Sequence, residues 1–114
     1  MFETSQELKA FLENGEFIYV IYCQYGCKIG YTKSPLERIE QIRLGLPSQK
    51  CIFIGLYIGE KARSYEAKLH DIFKRQRLSR EWFYLTDEDN NQIERTLLNN
   101  GFTCLINMNI LNCT

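Results

Sequence analysis

Tyr19, Lys28, Arg38 and Glu66, with His70 one helical turn further on, are the residue types that can bind and cut a phosphodiester. Glu66 is the most informative of them by position. In a helix starting at Ala62, the apolar residues Ala62, Tyr65, Leu69, Ile72 and Phe73 gather on one side. Glu66 falls about 40° from Ala62, at the border of that stripe, at roughly 100° per residue. A carboxylate there has to be paired, hydrated or set on a cation, because an uncompensated charge in apolar surroundings is costly. His70 follows at about 80°, placed to meet phosphate or move a proton. A structural hydrogen bond is the plainer reading of a lone histidine.

Arg38 stands in the same relation to its own helix. Leu36, Ile39 and Ile42 define a buried side, and Arg38 lies about 40° from Ile42. A guanidinium stays charged and offers a rigid fork to phosphate oxygens, which suits a phosphoryl transition state. Tyr19 sits in an aromatic and β-branched run, whereas Lys28 interrupts an apolar one. A two-residue turn at Tyr25 and Gly26 puts both on one face of a hairpin, since side chains alternate, whereas a three-residue turn puts them on opposite faces. An ammonium beside the phenol would then ease its deprotonation and make it a base for water.

A second set of residues suits the nucleic acid itself. The stretch from Lys61 to Arg80 holds Lys61, Arg63, Lys68, Lys74, Arg75, Arg77 and Arg80 against Glu66 and Asp71. Tyr31, Lys33, Lys74, Arg75, Arg77, Arg80 and Trp82 are the expected nucleic-acid contacts, with cations following the backbone and Trp82 stacking on a base. Capping the core beneath the helix that starts at Ala62 is the plainer reading of Trp82 and Phe83.

The elements that must carry these residues follow from local signals. Thr4 to Glu7 forms a capping box ahead of Leu8, Phe11 and Leu12, and Gly15 ends a short leading helix. Phe17 to Cys23 and Cys27 to Tyr31 read as a β-hairpin. Ser34, Pro35 and Glu37 start a helix running to about Leu44, before Gly45 and Pro47. Cys51 to Ile58 is a buried strand, Ala62 to about Lys74 a helix, and Trp82 to Leu85 a short edge strand. Thr86 followed by Asp87, Glu88 and Asp89 caps a third helix that Gly101 closes. Phe102 to Leu111 is a last strand. This order predicts an α+β fold, a mixed α/β sandwich with a small, largely antiparallel sheet and flanking helices.

The totals agree with one domain over residues 1–114. The chain is 45% hydrophobic and 25% charged, an ordinary globular composition, and its net charge of +0 gives no reason to expect indiscriminate adhesion to nucleic acid or membrane. No apolar run is long enough to span a bilayer. Five cysteines and no apolar leader after Met1 predict a reduced intracellular setting, cytoplasm or nucleus. The spacing of Cys23 and Cys27 is one residue too long for a common zinc knuckle.

The motifs resemble the GIY-YIG nuclease superfamily. Phe17, Ile18 and Tyr19 match its first motif, Lys28, Ile29 and Gly30 its second, and Arg38 and Glu66 follow on successive helices. The run Lys28 to Thr32, the pair Glu66 and His70, and the triplet Glu81, Trp82, Phe83 resemble its compact phage- and fungal-type branch. Phe17 stands where the first motif has glycine and Lys28 where the second has tyrosine. The position four after the arginine, often histidine, is Ile42. The resemblance implies a GIY-YIG-like core over residues 15–85 and a helix and strand extension over 86–114. It implies that Glu66 ligates one divalent metal, Mg2+ or Mn2+, that Arg38 steadies the phosphate, and that Tyr19 activates water, with Lys28 in the missing tyrosine's place.

The function expected is a divalent-metal-dependent DNA endonuclease, with RNA left open as substrate. Two alternatives stand beside it. One is an inactive nucleic-acid-binding module of the same fold; the other is a protein-interaction domain that forms a homodimer through the Phe102 to Leu111 tail.

Overall fold

The computed structural model describes residues 6, 10, 13–23, 26–45 and 51–109. A six-stranded sheet organises them, in the order β4-β5-β2-β1-β3-β6, with every neighbouring pair antiparallel. The strands are β1 (Phe17–Cys23), β2 (Gly26–Thr32), β3 (Cys51–Ile58), β4 (Arg77–Ser79), β5 (Trp82–Phe83) and β6 (Thr103–Asn109). The helices are α1 (Pro35–Gly45), α2 (Ala62–Ile72) and α3 (Asp87–Leu98). This is the α+β architecture expected, a small antiparallel sheet with flanking helices.

Alternation along β1 divides the core in two. Ile18 and Val20 join Cys27, Ile29, Ala62, Leu69, Phe83, Ile93 and Leu97 in a cluster that α2 and α3 cover. Phe17, Tyr19, Ile21 and Cys23 join Leu56 on the opposite face, with Ile42 of α1 and Trp82 packed against them. β1 is buried along almost its whole length, which is why it reads as a continuous apolar run. Cys23 and Cys27 fall in different clusters. Burial, reinforced by Cys23, pushes the Cys27 thiol up to about 12.

Some expectations need correcting. Cys23 pairs with Gly26, so Gly26 belongs to β2 and not to the turn expected at Tyr25 and Gly26. Gly26 instead opens β2 at φ 131, with the Phe83 carbonyl oxygen only 2.7 Å from where a Cβ would stand. Leu36 is 59% exposed and Ile72 47% exposed. Each lies at the margin of its helix's apolar stripe, and α1 instead buries Pro35 and part of Ile42. α2 stops at Ile72, and a 3-10 turn over Lys74–Gln76 leads into β4, a wholly exposed strand with no apolar alternation to announce it.

Gln6, Ala10, Glu13 and Asn14 are helical. The capping box at Thr4 to Glu7, Leu8, Phe11 and Leu12, the turn residue Tyr25, Pro47 and the end of the tail at Ile110 and Leu111 lie outside the described residues.

At α3 the cap is complete. The Thr86 hydroxyl accepts from the Asp89 N–H at 3.1 Å, and the Asp89 carboxylate accepts from the Thr86 N–H at 3.0 Å. Asp89 also takes the Gln76 amide at 2.9 Å, tying the helix to the 3-10 turn. Thr86→Ala is expected to cost about 0.5–2 kcal/mol, read as a lower urea midpoint with an unchanged slope.

Candidate functional site

β5 pairs with β2 only at Cys27 and Lys28, so from Ile29 onward the outer edge of β2 needs other partners. Backbone donors and acceptors at a half-buried edge are rarely left unpaired. The Ile29 N–H donates to the Glu81 carbonyl at 3.1 Å, and the Ile29 carbonyl lies 2.8 Å from His70 Nε2. One pair further along, the Tyr31 N–H donates to the Glu66 carboxylate. The border position of Glu66 and His70 on α2 is therefore explained by the strand edge they cover.

Tyr19 comes to the same place from the other face. It pairs with Gly30, and its hydroxyl donates to Glu81 Oε1 at 2.8 Å. Gly30 is required for its lack of a side chain: a Cβ there would collide with the Tyr19 ring and hydroxyl and stand 2.6 Å from Glu81 Oε1. Tyr19 and Glu81 thus meet at one glycine, and Glu66 is near enough to act electrostatically on both. Arg38, exposed on α1, is near enough to act electrostatically on the Tyr19 hydroxyl.

The charges set the chemistry. Burial holds the Tyr19 phenol far above the ordinary tyrosine range, and the Glu81 hydrogen bond and charge push it further; Arg38 opposes and Glu66 adds to the rise. Burial also lifts the Glu66 carboxyl. His70 opposes that, Glu81 adds to it, and the Tyr31 N–H and Arg63 oppose it. Two carboxylates therefore press on one another at the edge of β2, beside a phenol that keeps its proton.

Lys28 shares the Tyr19 face, because moving the turn by one residue on each strand leaves the alternation unchanged. Its ammonium, however, lies over the Trp82 indole, 5.4 Å from the ring centroid, a cation–π contact. The group that the Tyr19 hydroxyl meets is Glu81. His70 has both ring nitrogens engaged, since Arg77 reaches Nδ1 at 2.9 Å while Nε2 meets the Ile29 carbonyl.

The expected nucleic-acid contacts are scattered around this centre. Tyr31 donates to Glu16 at 3.2 Å and has Arg63 over its ring. Trp82 is half-buried beneath Lys28. Lys33, Arg75 and Arg80 are exposed, and Lys74 is exposed in a loose pair with Asp71. Arg77 is drawn to His70 and the Phe83 ring.

A family model of the T5orf172 domain matches residues 16–98, a stretch that holds all of these residues. The chain belongs to the T5orf172 domain family. This corrects the resemblance to the GIY-YIG superfamily, which is a different family. The two departures from that superfamily's motifs have physical roles here: Phe17 is a fully buried core residue, and Lys28 lies on Trp82. The T5orf172 domain is nuclease-like and associated with DNA binding, so the role of this chain is a nucleic-acid-related one. No curated protein and no solved structure matches the chain. Among the described residues no helix of this T5orf172 domain is long and apolar enough to cross a membrane.

Glu81 is the site residue that the sequence reading missed. It was visible only as the first member of the Glu81, Trp82, Phe83 triplet. It follows Arg80 at φ 49, in a turn where no periodicity tells which way a side chain points.

Proposed function

We propose that this T5orf172 domain hydrolyses phosphodiester bonds in DNA with the help of one divalent cation, Mg2+ or Mn2+. The observation that carries the reading is the meeting of the Tyr19 hydroxyl and the Glu81 carboxylate at Gly30, with Glu66 and Arg38 near enough to act electrostatically on that hydroxyl.

The donors fit a hard cation of the magnesium type. The described residues hold no group of three or more His, Cys, Asp or Glu side chains suited to a metal. Magnesium binds through one or two carboxylates and keeps waters and phosphate oxygens for the rest. Glu66, half-buried and under pressure from the Glu81 charge, is the residue that would hold it. When bound, the cation would polarise the phosphate and steady charge on the leaving oxygen.

The chain's own residues account for the remaining steps. Arg38 binds the scissile phosphate as an exposed guanidinium, stabilising charge that grows on its oxygens. Tyr19 orients the attacking water. Arg63, Lys33 and Arg80 lend positive charge to the approach of the polyanion, in a molecule whose net charge is +0.

Incubation with supercoiled plasmid tests this directly. Nicking is expected with magnesium or manganese and is expected to stop with a chelator. Arg38→Ala should lower the rate about 100-fold. Salt-sensitive binding without any nicking would instead make the domain a nucleic-acid-binding module. A parallel RNA substrate decides between the two nucleic acids.

A further inference from the structure

We propose that Glu81 is a positioning residue for this hydrolysis, holding the Tyr19 hydroxyl and accepting its proton as Tyr19 takes one from the attacking water. The inference rests on the hydrolase reading and adds to it the proton's destination. Three features place the Glu81 carboxylate. Its backbone carbonyl is fixed to the Ile29 N–H at 3.1 Å, Arg80 at φ 49 turns the chain into position, and Gly30 leaves the space in which Oε1 meets the Tyr19 hydroxyl at 2.8 Å.

A phenol has one proton to donate, and Tyr19 gives it to Glu81, leaving oxygen lone pairs to accept from water. Burial opposes a resting tyrosinate, so Tyr19 needs an acceptor to work as a relay. The Lys28 ammonium is seated on Trp82, whereas a carboxylate oxygen of Glu81 already accepts from the Tyr19 hydroxyl. In the step, an O–H bond of water breaks as the water oxygen bonds phosphorus. The water proton passes to the Tyr19 oxygen, and the Tyr19 proton passes to Glu81 Oε1. The bond from phosphorus to the leaving oxygen breaks, and that oxygen takes a proton from solvent. Nothing is oxidised or reduced, and Glu81 returns its proton to solvent.

The test uses the full chain as wild type, Glu81→Gln, Glu81→Asp, Tyr19→Phe and the double variant Tyr19→Phe/Glu81→Gln. Plasmid nicking in magnesium gives kcat and KM, and tyrosine labelled with 13C at Cζ gives a resonance for Tyr19. Glu81→Gln is expected to lower kcat about 100-fold with KM unchanged, and Glu81→Asp to recover part of the loss. The double variant is expected to be no slower than Tyr19→Phe, since both act on one path. The Tyr19 resonance should move in Glu81→Gln while the other tyrosine signals stay, which also reports that the variant is folded.

Wild-type kcat in Glu81→Gln overturns the relay. So does a double variant slowed by the product of the single effects, or an equal loss in the Asp and Gln variants. A wild-type protein that leaves plasmid intact overturns the hydrolase reading, and the relay falls with it. An active wild type beside an unaffected Glu81→Gln overturns the relay alone.

Discussion

Glu66→Gln is expected to stop metal-dependent nicking, a loss of about 10³-fold, while the protein becomes harder to melt at neutral pH. The two effects have one cause. The Glu66 carboxyl is raised first by burial, and Glu81 adds to the rise against the opposition of His70, the Tyr31 N–H and Arg63. A carboxyl raised in the folded state binds protons more tightly there than in the unfolded chain. Its contribution to stability is therefore fully present below the ordinary glutamate range and is lost as pH rises through the folded value. At neutral pH the ionised side chain opposes folding, and the neutral amide relieves that opposition. The amide keeps an oxygen to accept from the Tyr31 N–H, so the strand edge stays covered. Melting curves from about pH 4 to pH 8 should show the variant gaining on the wild type as pH rises. A variant less stable than wild type at neutral pH would contradict this account of Glu66, and undiminished nicking would remove it from the chemistry.

This trade of stability for chemistry is legible in the sequence only in part. A carboxylate at the border of the α2 stripe can be seen from the spacing of Ala62, Leu69 and Phe73 alone, because helical periodicity is a local property. The same holds for α1 after Ser34 and Pro35, for α3 after Thr86, and for the bounds of β1 and β3. What occupies a border position is not local. Glu66 and His70 lie where they do because β5 stops after two residues and leaves the edge of β2 to α2.

The missed features share that cause. Tyr19 and Glu81 are 62 residues apart and meet only through the sheet order β5-β2-β1. β4 consists of Arg77, Leu78 and Ser79, all exposed, so burial leaves no trace in its pattern. Leu36 and Ile72 are apolar and fall on the expected faces, yet each is exposed at the margin of its helix's stripe. The family assignment failed in a related way. Short motifs spread from Phe17 to Phe83 carried it, whereas the T5orf172 model matches residues 16–98 as a whole.

Gly30→Ala is expected to disable the site and weaken the fold with the addition of one methyl group. Replacing a strand glycine by alanine ordinarily stabilises by about 0.4–1 kcal/mol, because the unfolded chain loses freedom. Here that gain is opposed by a collision with the Tyr19 ring and hydroxyl, and by Glu81 Oε1 at 2.6 Å. The Glu81 carboxylate can swing aside. The Tyr19 ring cannot, since it is 1% exposed and packed in one cluster with Phe17, Ile21 and Leu56. Overpacking of this kind costs about 1–3 kcal/mol, so the collision outweighs the entropic gain and the urea midpoint should fall. The kinetic effect is larger, because one methyl separates the Tyr19 hydroxyl from Glu81. A misplacement of this kind and the loss of a proton acceptor together predict about a 10³-fold fall in kcat. A folded Gly30→Ala protein that nicks plasmid at the wild-type rate would show that the convergence at Gly30 is not the reaction centre.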